Sequence, residues 1–196
     1  MDESLRRESA LQRMKLRKSS SISNISSTEA SFESLFYEHW ASVQRLLLRL
    51  VIDPAEAEDL ALETFFRLYQ RHPMPEEFNT RGWLFRVATN LALQSIRSFK
   101  RREDYEIRAG KGALEEAPES RPAEIFARNE EQRLARLVLA RMNPRQAELL
   151  IMRHSGMAYK EIAAALSLSP TSIGPLLLRA ERDFEKYYCA LAEEKR

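Results

Sequence analysis

An all-α fold follows from three features of this 196-residue chain. Glycine is scarce, at five residues. No stretch alternates Val, Ile or Thr with polar residues. Apolar residues recur instead every three or four positions, the repeat of a helix with one buried face. Residues 1–31 and 103–124 lack that repeat. The expectation is therefore two small helical domains, 32–102 and 125–196, joined by a flexible acidic linker, the second domain being a helix-turn-helix.

The first segment divides into a basic piece, "RRESALQRMKLRK", and a serine-rich piece, "SSSISNISST". The basic piece suits a short amphipathic helix bearing Leu5, Leu11, Met14 and Leu16. The serine-rich piece has little to bury, and residues 1–31 as a whole are expected to be a flexible extension. The next helix carries Leu35, Phe36, His39, Trp40, Val43, Leu46, Leu47 and Leu50 on one face. "DPAEAEDL" opens another, with Asp53 as N-cap, Pro54 at the first helical position and acids in the first turn. Pro73 and Pro75 end it in the loop "RHPMPEEFNT", and a third helix runs from about Arg81 to Arg102. In the linker, seven acids oppose three bases. Helices then follow at 125–141, 144–155 and 159–166, with a last one ending near Leu191.

The formal charge is only +2, but it is unevenly distributed. Cys189 is the single cysteine and has no partner for an internal disulfide. No apolar run approaches the ~18 residues of a membrane span, and the first residues lack the apolar core of a secretory signal. A soluble, cytoplasmic protein is expected. His39, His72, His154 and Cys189 lack metal-ligand spacing. There is no phosphate-binding glycine loop and no evident carboxylate pair, so neither catalysis nor a metal or other cofactor is expected.

Three patches carry the chemistry. In the first, residues 159–178 have the pattern of a helix-turn-helix. Ile162, Leu166, Leu168, Ile173 and Leu176 occupy its apolar positions and Ala163 the small one. Ser167 stands at the turn position that takes positive φ and usually holds glycine, a departure that costs about 1 kcal/mol. Ser169-Pro170 supplies an N-cap and first-turn proline. Gly174-Pro175 is awkward here. Either the second helix starts at Pro170 and Pro175 interrupts it, or it starts at Ser172 and the proline is harmless. Both versions leave Thr171, Ser172 and Arg179 on the outer surface, with Arg145, Tyr159 and Lys160 near the DNA backbone, a set suited to phosphate positioning more than to base readout.

The second patch, Thr80 to Arg102, holds Arg81, Arg86, Arg97, Lys100, Arg101 and Arg102 without one acid, interleaved with Trp83, Phe85 and Phe99. Fixed positive charge suits phosphates and aromatic faces suit unpaired bases, so a single strand of melted DNA fits it, with Asn90 forming a pocket. Trp83, Leu84, Val87, Leu91 and Ile96 also read as core. In the third patch, Asp53 to Gln70, five acids precede any base. They suit a helix N-terminus and equally a docking face for a basic protein surface.

"AEDLALETFFRLYQ", "WLFRVATNLALQSIR" and "MNPRQAELLIMRHSGMAYKEIAAALSLSPTSI", in that order, resemble the extracytoplasmic-function subgroup of the sigma-70 family, the bacterial RNA polymerase specificity subunits. The resemblance spans about 32–102 and 125–188. It implies an alternative sigma factor whose partners are core RNA polymerase, promoter DNA in duplex and melted form, and an anti-sigma factor. The helix bearing Glu56, Asp59, Glu63, Phe66 and Tyr69 would dock on the polymerase clamp. The loop Phe78–Arg81 and the helix to Arg102 would melt and read the minus-ten element, with Asn90 lining the pocket for a flipped base. The C-terminal domain would read the minus-thirty-five element, and the acidic linker would thread polymerase channels. Leu62 stands where the family usually has Gln. Where relatives often show "VGTVKSRLHRAR", this chain has "PTSIGPLLLRAE". A stand-alone helix-turn-helix regulator would leave the first domain unused, and a sigma-like adaptor without promoter reading would suit the Gly-Pro pair.

Overall fold

The computed structural model describes residues 8–13, 26–51, 53–71, 75, 78–108 and 123–193. Regular structure among them is helical throughout: α1 (Ser26–Leu50), α2 (Pro54–Arg71), α3 (Thr80–Arg108), α4 (Ala123–Arg141), α5 (Pro144–His154), α6 (Tyr159–Leu166) and α7 (Pro170–Glu193). The chain forms two compact units, residues 1–92 with 164–167, and residues 93–163 with 168–196.

In the first unit α1 packs on α2. The stripe expected from spacing is the buried one: Phe36, Trp40, Val43, Leu46, Leu47 and Leu50 are all core, with Leu35 and His39 half-buried. Aromatic rings fill the seam. Phe36 stacks on Trp40 at 4.9 Å between centroids and meets Phe65 of α2 at 4.8 Å. Asp53 caps α2 as expected, its Oδ1 accepting from the Ala55 N–H at 2.9 Å.

Two expectations about boundaries fail here. Residues 8–13 are helical, with Ala10 and Leu11 buried, instead of being a flexible extension. Arg13 pairs there with Glu58 of α2 at 2.9 Å. An apolar residue that finds a surface to cover offsets part of the ordering cost of such a helix. α1 also starts at Ser26, inside the serine-rich piece, while residues 14–25, including Met14 and Leu16, lie outside the described residues, as does Leu5. The linker is the second case. α3 runs on to Arg108 and α4 begins at Ala123, so 103–108 and 123–124 are helical. The acids at 103–106 carry no helix-breaking signal, and Gly110 and Gly112, with the rest of 109–122, lie outside the described residues.

The N-terminus of α3 is built by two residues together. Asn79 Oδ1 accepts from the Gly82 N–H at 2.9 Å, capping the helix. A Cβ on Gly82 would lie 2.5 Å from Asn79 Nδ2. As placed, the Asn79 side chain fills the space that a Cβ on residue 82 would take, so a side chain there requires Asn79 to shift.

In the second unit α4 and α5 both pack on α7. Val138, Met152, Met157, Ile162, Ile173 and Ala180 are fully buried. Asn143 caps α5 through the Arg145 N–H at 2.9 Å, with Pro144 at the first helical position. α5 ends on Gly156, at φ 83, where Gly156 N–H donates to Arg153 and Met157 N–H to Met152.

Candidate nucleic-acid and partner surfaces

The helix-turn-helix forms as the spacing implies. α6 closes with the Leu168 N–H donating to Ala163 O at 2.8 Å and the Ser167 N–H to Ala164 O at 3.4 Å, the paired bonds of a left-handed C-terminal cap. That cap requires positive φ at Ser167, and its φ is 55. At the other end of α6, Glu161 Oε2 accepts from the Ala158 N–H at 2.7 Å, supplying from the third helical position what alanine at the cap cannot.

α7 starts at Pro170, with the Ser172 N–H donating to Ser169 O at 3.0 Å. Pro175 is thus inside the helix and cannot donate to the Thr171 carbonyl. The expected apolar set is off by one residue. Leu177 is buried and Leu176 only half-buried, because Ile173 and Leu177 share a face one turn apart. Leu168 is likewise half-buried.

Outside this core, Tyr159, Lys160, Thr171 and Arg179 are exposed and Ser172 is half-exposed. Arg153 lies over the Tyr159 ring at 5.3 Å, and a Cβ on Gly174 would stand 3.8 Å from Tyr159 Cε2. Arg145 pairs with Glu148 at 3.4 Å, so its charge is partly spent within α5.

On α3 the six bases fall into different situations. Arg81, Arg101 and Arg102 are exposed, Lys100 half-exposed. Arg81 lies over the ring of Phe85 at 5.6 Å. Arg86 donates to Ala165 O at 3.3 Å within the first unit. Arg97 donates to Ala140 O at 3.3 Å and Met142 O at 3.4 Å within the second. Both guanidiniums thus serve carbonyls at helix C-termini, where cations are favoured. At 3.6 residues per turn, Trp83, Arg86, Asn90, Gln94, Arg97 and Arg101 share one face of α3 within about 80°, and Asn90 is half-exposed there.

The aromatics divide. Phe85 is core and Trp83 half-buried against Phe78 at 6.3 Å. Phe78 also receives Arg71 at 5.7 Å. Phe99 and Tyr105 stay exposed beside the bases. Leu84, Leu91 and Ile96 are core and Val87 half-buried.

On α2, Glu56, Asp59, Glu63 and Phe66 fall within about 80° of one another on the helix wheel. Asp59 is exposed and the other three half-exposed. Glu63 pairs with Arg67 at 2.9 Å. Tyr69 turns away from this arc, its ring edge-on to Phe32 at 4.9 Å. Leu62 is core, which explains why an apolar residue suits that position. Glu58, absent from the expected docking set, is the acid that Arg13 engages.

His39, on α1, is half-buried, its side chain 12% exposed. Burial pushes the imidazole below its ordinary value; Glu38 opposes that and the nearby Arg81 charge adds to it.

Comparison with known proteins places these elements. Residues 35–103 match the family model for sigma-70 region 2, and residues 132–183 that for sigma-70 region 4. The chain is 30% identical over 169 residues to the RNA polymerase sigma factor CarQ of Myxococcus xanthus, covering 83% of this chain and 90% of that one. It is 29% identical over 160 residues to the probable ECF RNA polymerase sigma factor SigI of Mycobacterium tuberculosis, covering 80% of this chain. It spans only 55% of the length of SigI. The solved structure of CnrH in complex with the cytosolic domain of CnrY shares the fold, with a TM-score of 0.54 at 18% identity, covering 94% of this chain and 97% of that one.

Proposed function

We propose a function from one established premise: the chain belongs to the sigma-70 family of RNA polymerase sigma factors, in its extracytoplasmic-function group. On that premise it is an alternative sigma factor. It binds core RNA polymerase in the cytoplasm and directs promoter recognition and transcription initiation. An anti-sigma protein is the regulatory partner expected of such a subunit.

The observation that carries this reading is the outward acidic arc of Glu56, Asp59 and Glu63 on α2. It belongs to the same chain as a basic stretch without acids from Thr80 to Arg102 and a helix-turn-helix. A stand-alone DNA-binding regulator has no use for the acidic arc. A sigma factor uses all three. α2 docks on a basic polymerase surface, where complementary charge sets encounter and register. α3 holds the separated strand, its bases meeting phosphates and Asn90 lining the pocket for an unstacked base. α6 and α7 engage the upstream duplex, with Lys160 and Arg179 on phosphates.

In vitro transcription with core polymerase over genomic fragments tests the reading and reports the promoter. Discrete start sites are expected that require the chain. Asp59→Lys with Glu63→Lys should weaken core binding by at least about tenfold, and helicity should not change, because exposed charges add little stability. Unchanged core affinity in that variant would remove α2 as the dock. Start sites that do not depend on the chain would remove the function.

A further inference from the structure

We infer that α7 reads thymine methyl groups in duplex DNA, through an apolar stripe formed by Thr171, Pro175 and Leu178. The inference rests on the reading of α6 and α7 as the duplex-reading element and states what that element recognises.

On a helix of 3.6 residues per turn, Thr171, Pro175, Leu178 and Arg182 lie within about 60° of one another. The buried residues Ile173, Leu177 and Ala180 occupy the opposite side. The stripe therefore faces outward. Thr171 and Pro175 are exposed, and Leu178 is 50% exposed. Its capacity for hydrogen bonds is small. Proline and leucine side chains have no donor or acceptor, and Gly174 beside them has no side chain. The Thr171 hydroxyl pairs with Ser169 Oγ at 2.8 Å, which takes up part of its hydrogen-bonding capacity, and its methyl is the apolar group it can offer. Between Thr171 and Arg182, one turn beyond Leu178, the stripe carries no side-chain donor or acceptor.

A single exposed leucine would mean little. Pro175 adds weight. It forfeits a backbone hydrogen bond inside α7 and, being exposed, gives the core no packing in return. Its rigid ring is presented to whatever approaches the outer face. Arg179 and Arg182 are exposed beside the stripe on α7 and Lys160 on α6, against exposed Glu181 and Glu185 on the other flank, so the approaching surface is chiefly anionic at its edges and apolar at its centre. Duplex DNA has that character in one place. The C5-methyl of thymine is the apolar group that the natural base pairs display in the major groove, between two phosphate backbones. A protein partner with an apolar centre and acidic rim is the competing occupant.

The test uses the full chain with core polymerase and a randomised duplex cassette upstream of a fixed downstream segment, synthesised once with thymine and once with uracil, which lacks only that methyl. Retained thymine duplexes should carry thymines at fixed upstream positions. Replacing each by uracil should weaken binding about fourfold, the equivalent of one buried methyl at roughly 0.8 kcal/mol. In Leu178→Ala, and separately in Pro175→Ala, the thymine-to-uracil ratio should fall towards one, while affinity for the uracil duplex stays as in the parent. Leu178 is exposed, so its truncation leaves the core intact. Equal affinity of the parent for both duplexes overturns the inference and leaves duplex reading standing. Equal weakening of both duplexes by Leu178→Ala also overturns it and assigns the stripe to a protein partner. If no upstream sequence is selected, both the inference and the duplex-reading role fall.

Discussion

Replacing Gly174 by Lys and Pro175 by Ser should make the second unit markedly more heat-stable. α7 begins at Pro170, so Pro175 interrupts its second turn and leaves the Thr171 carbonyl without its helical donor. An interior proline costs about 3 kcal/mol relative to a good helix former, and a glycine about 1. Against that, proline and its replacement differ in the unfolded chain, where losing the ring's restriction returns about 0.4–1 kcal/mol to disorder. The net gain is about 3 kcal/mol. There is room for it, because a Cβ on residue 174 would sit 3.8 Å from Tyr159 Cε2, an ordinary contact. For a unit of this size 1 kcal/mol moves the midpoint by roughly 4–8 °C, so differential scanning calorimetry should show one transition rising by more than about 10 °C and the other unmoved. The new lysine should also steepen the salt dependence of duplex binding by a slope of about 0.9 if that flank of α7 meets a phosphate. A midpoint shift under about 2 °C would refute the interior position of Pro175 and mean that the helix in solution begins at Ser172.

Ser167→Gly should stabilise the helix-turn-helix turn by about 1 kcal/mol, since φ is 55 there and glycine adopts it without strain; an unchanged denaturation midpoint would show that the turn relaxes. Leu11→Ala should cost about 2 kcal/mol in urea unfolding of the first unit, because Leu11 is buried, whereas Arg13→Ala should cost well under 1, its pair with Glu58 being surface-exposed; if Leu11→Ala is silent, residues 8–13 do not dock. Because burial holds the imidazole of His39 below its unfolded value, its contribution to stability is complete above about pH 6.5 and declines as pH falls below that, where the unfolded chain gains the proton first. Unfolding measured at pH 7.5 and 5.5 should therefore show a smaller acid loss in His39→Leu than in the parent, and equal losses would discount His39.

Features that depend on a few neighbouring residues were legible in the sequence. Asp53-Pro54, the aromatic stripe of α1 and the positive-φ turn at Ser167 are each set by local geometry, and each forms as expected. Three leucines in a row at 176–178 carry no periodicity, so only packing could show that Leu177 is the buried one. Residue type alone could not separate Phe85, which is core under Arg81, from Phe99, which is exposed. Nor could it show that Arg86 and Arg97 reach carbonyls 79 and 43 residues away along the chain. The helix at 8–13 is one the basic piece suits, but its apolar content is too small to predict docking without the surface that receives it.

The cap at the start of α3 constrains how this chain can drift. Asn79 and Gly82 hold each other in place. A side chain at 82 would push the end of the Asn79 side chain aside, and losing Asn79 removes the same capping bond, about 1 kcal/mol. Either change thus weakens the cap, and the second change has less of it left to lose. The two positions are therefore coupled: Gly82→Ala with Asn79→Ala should cost less than the sum of the two single changes, so a chain that has lost one partner is freer to lose the other.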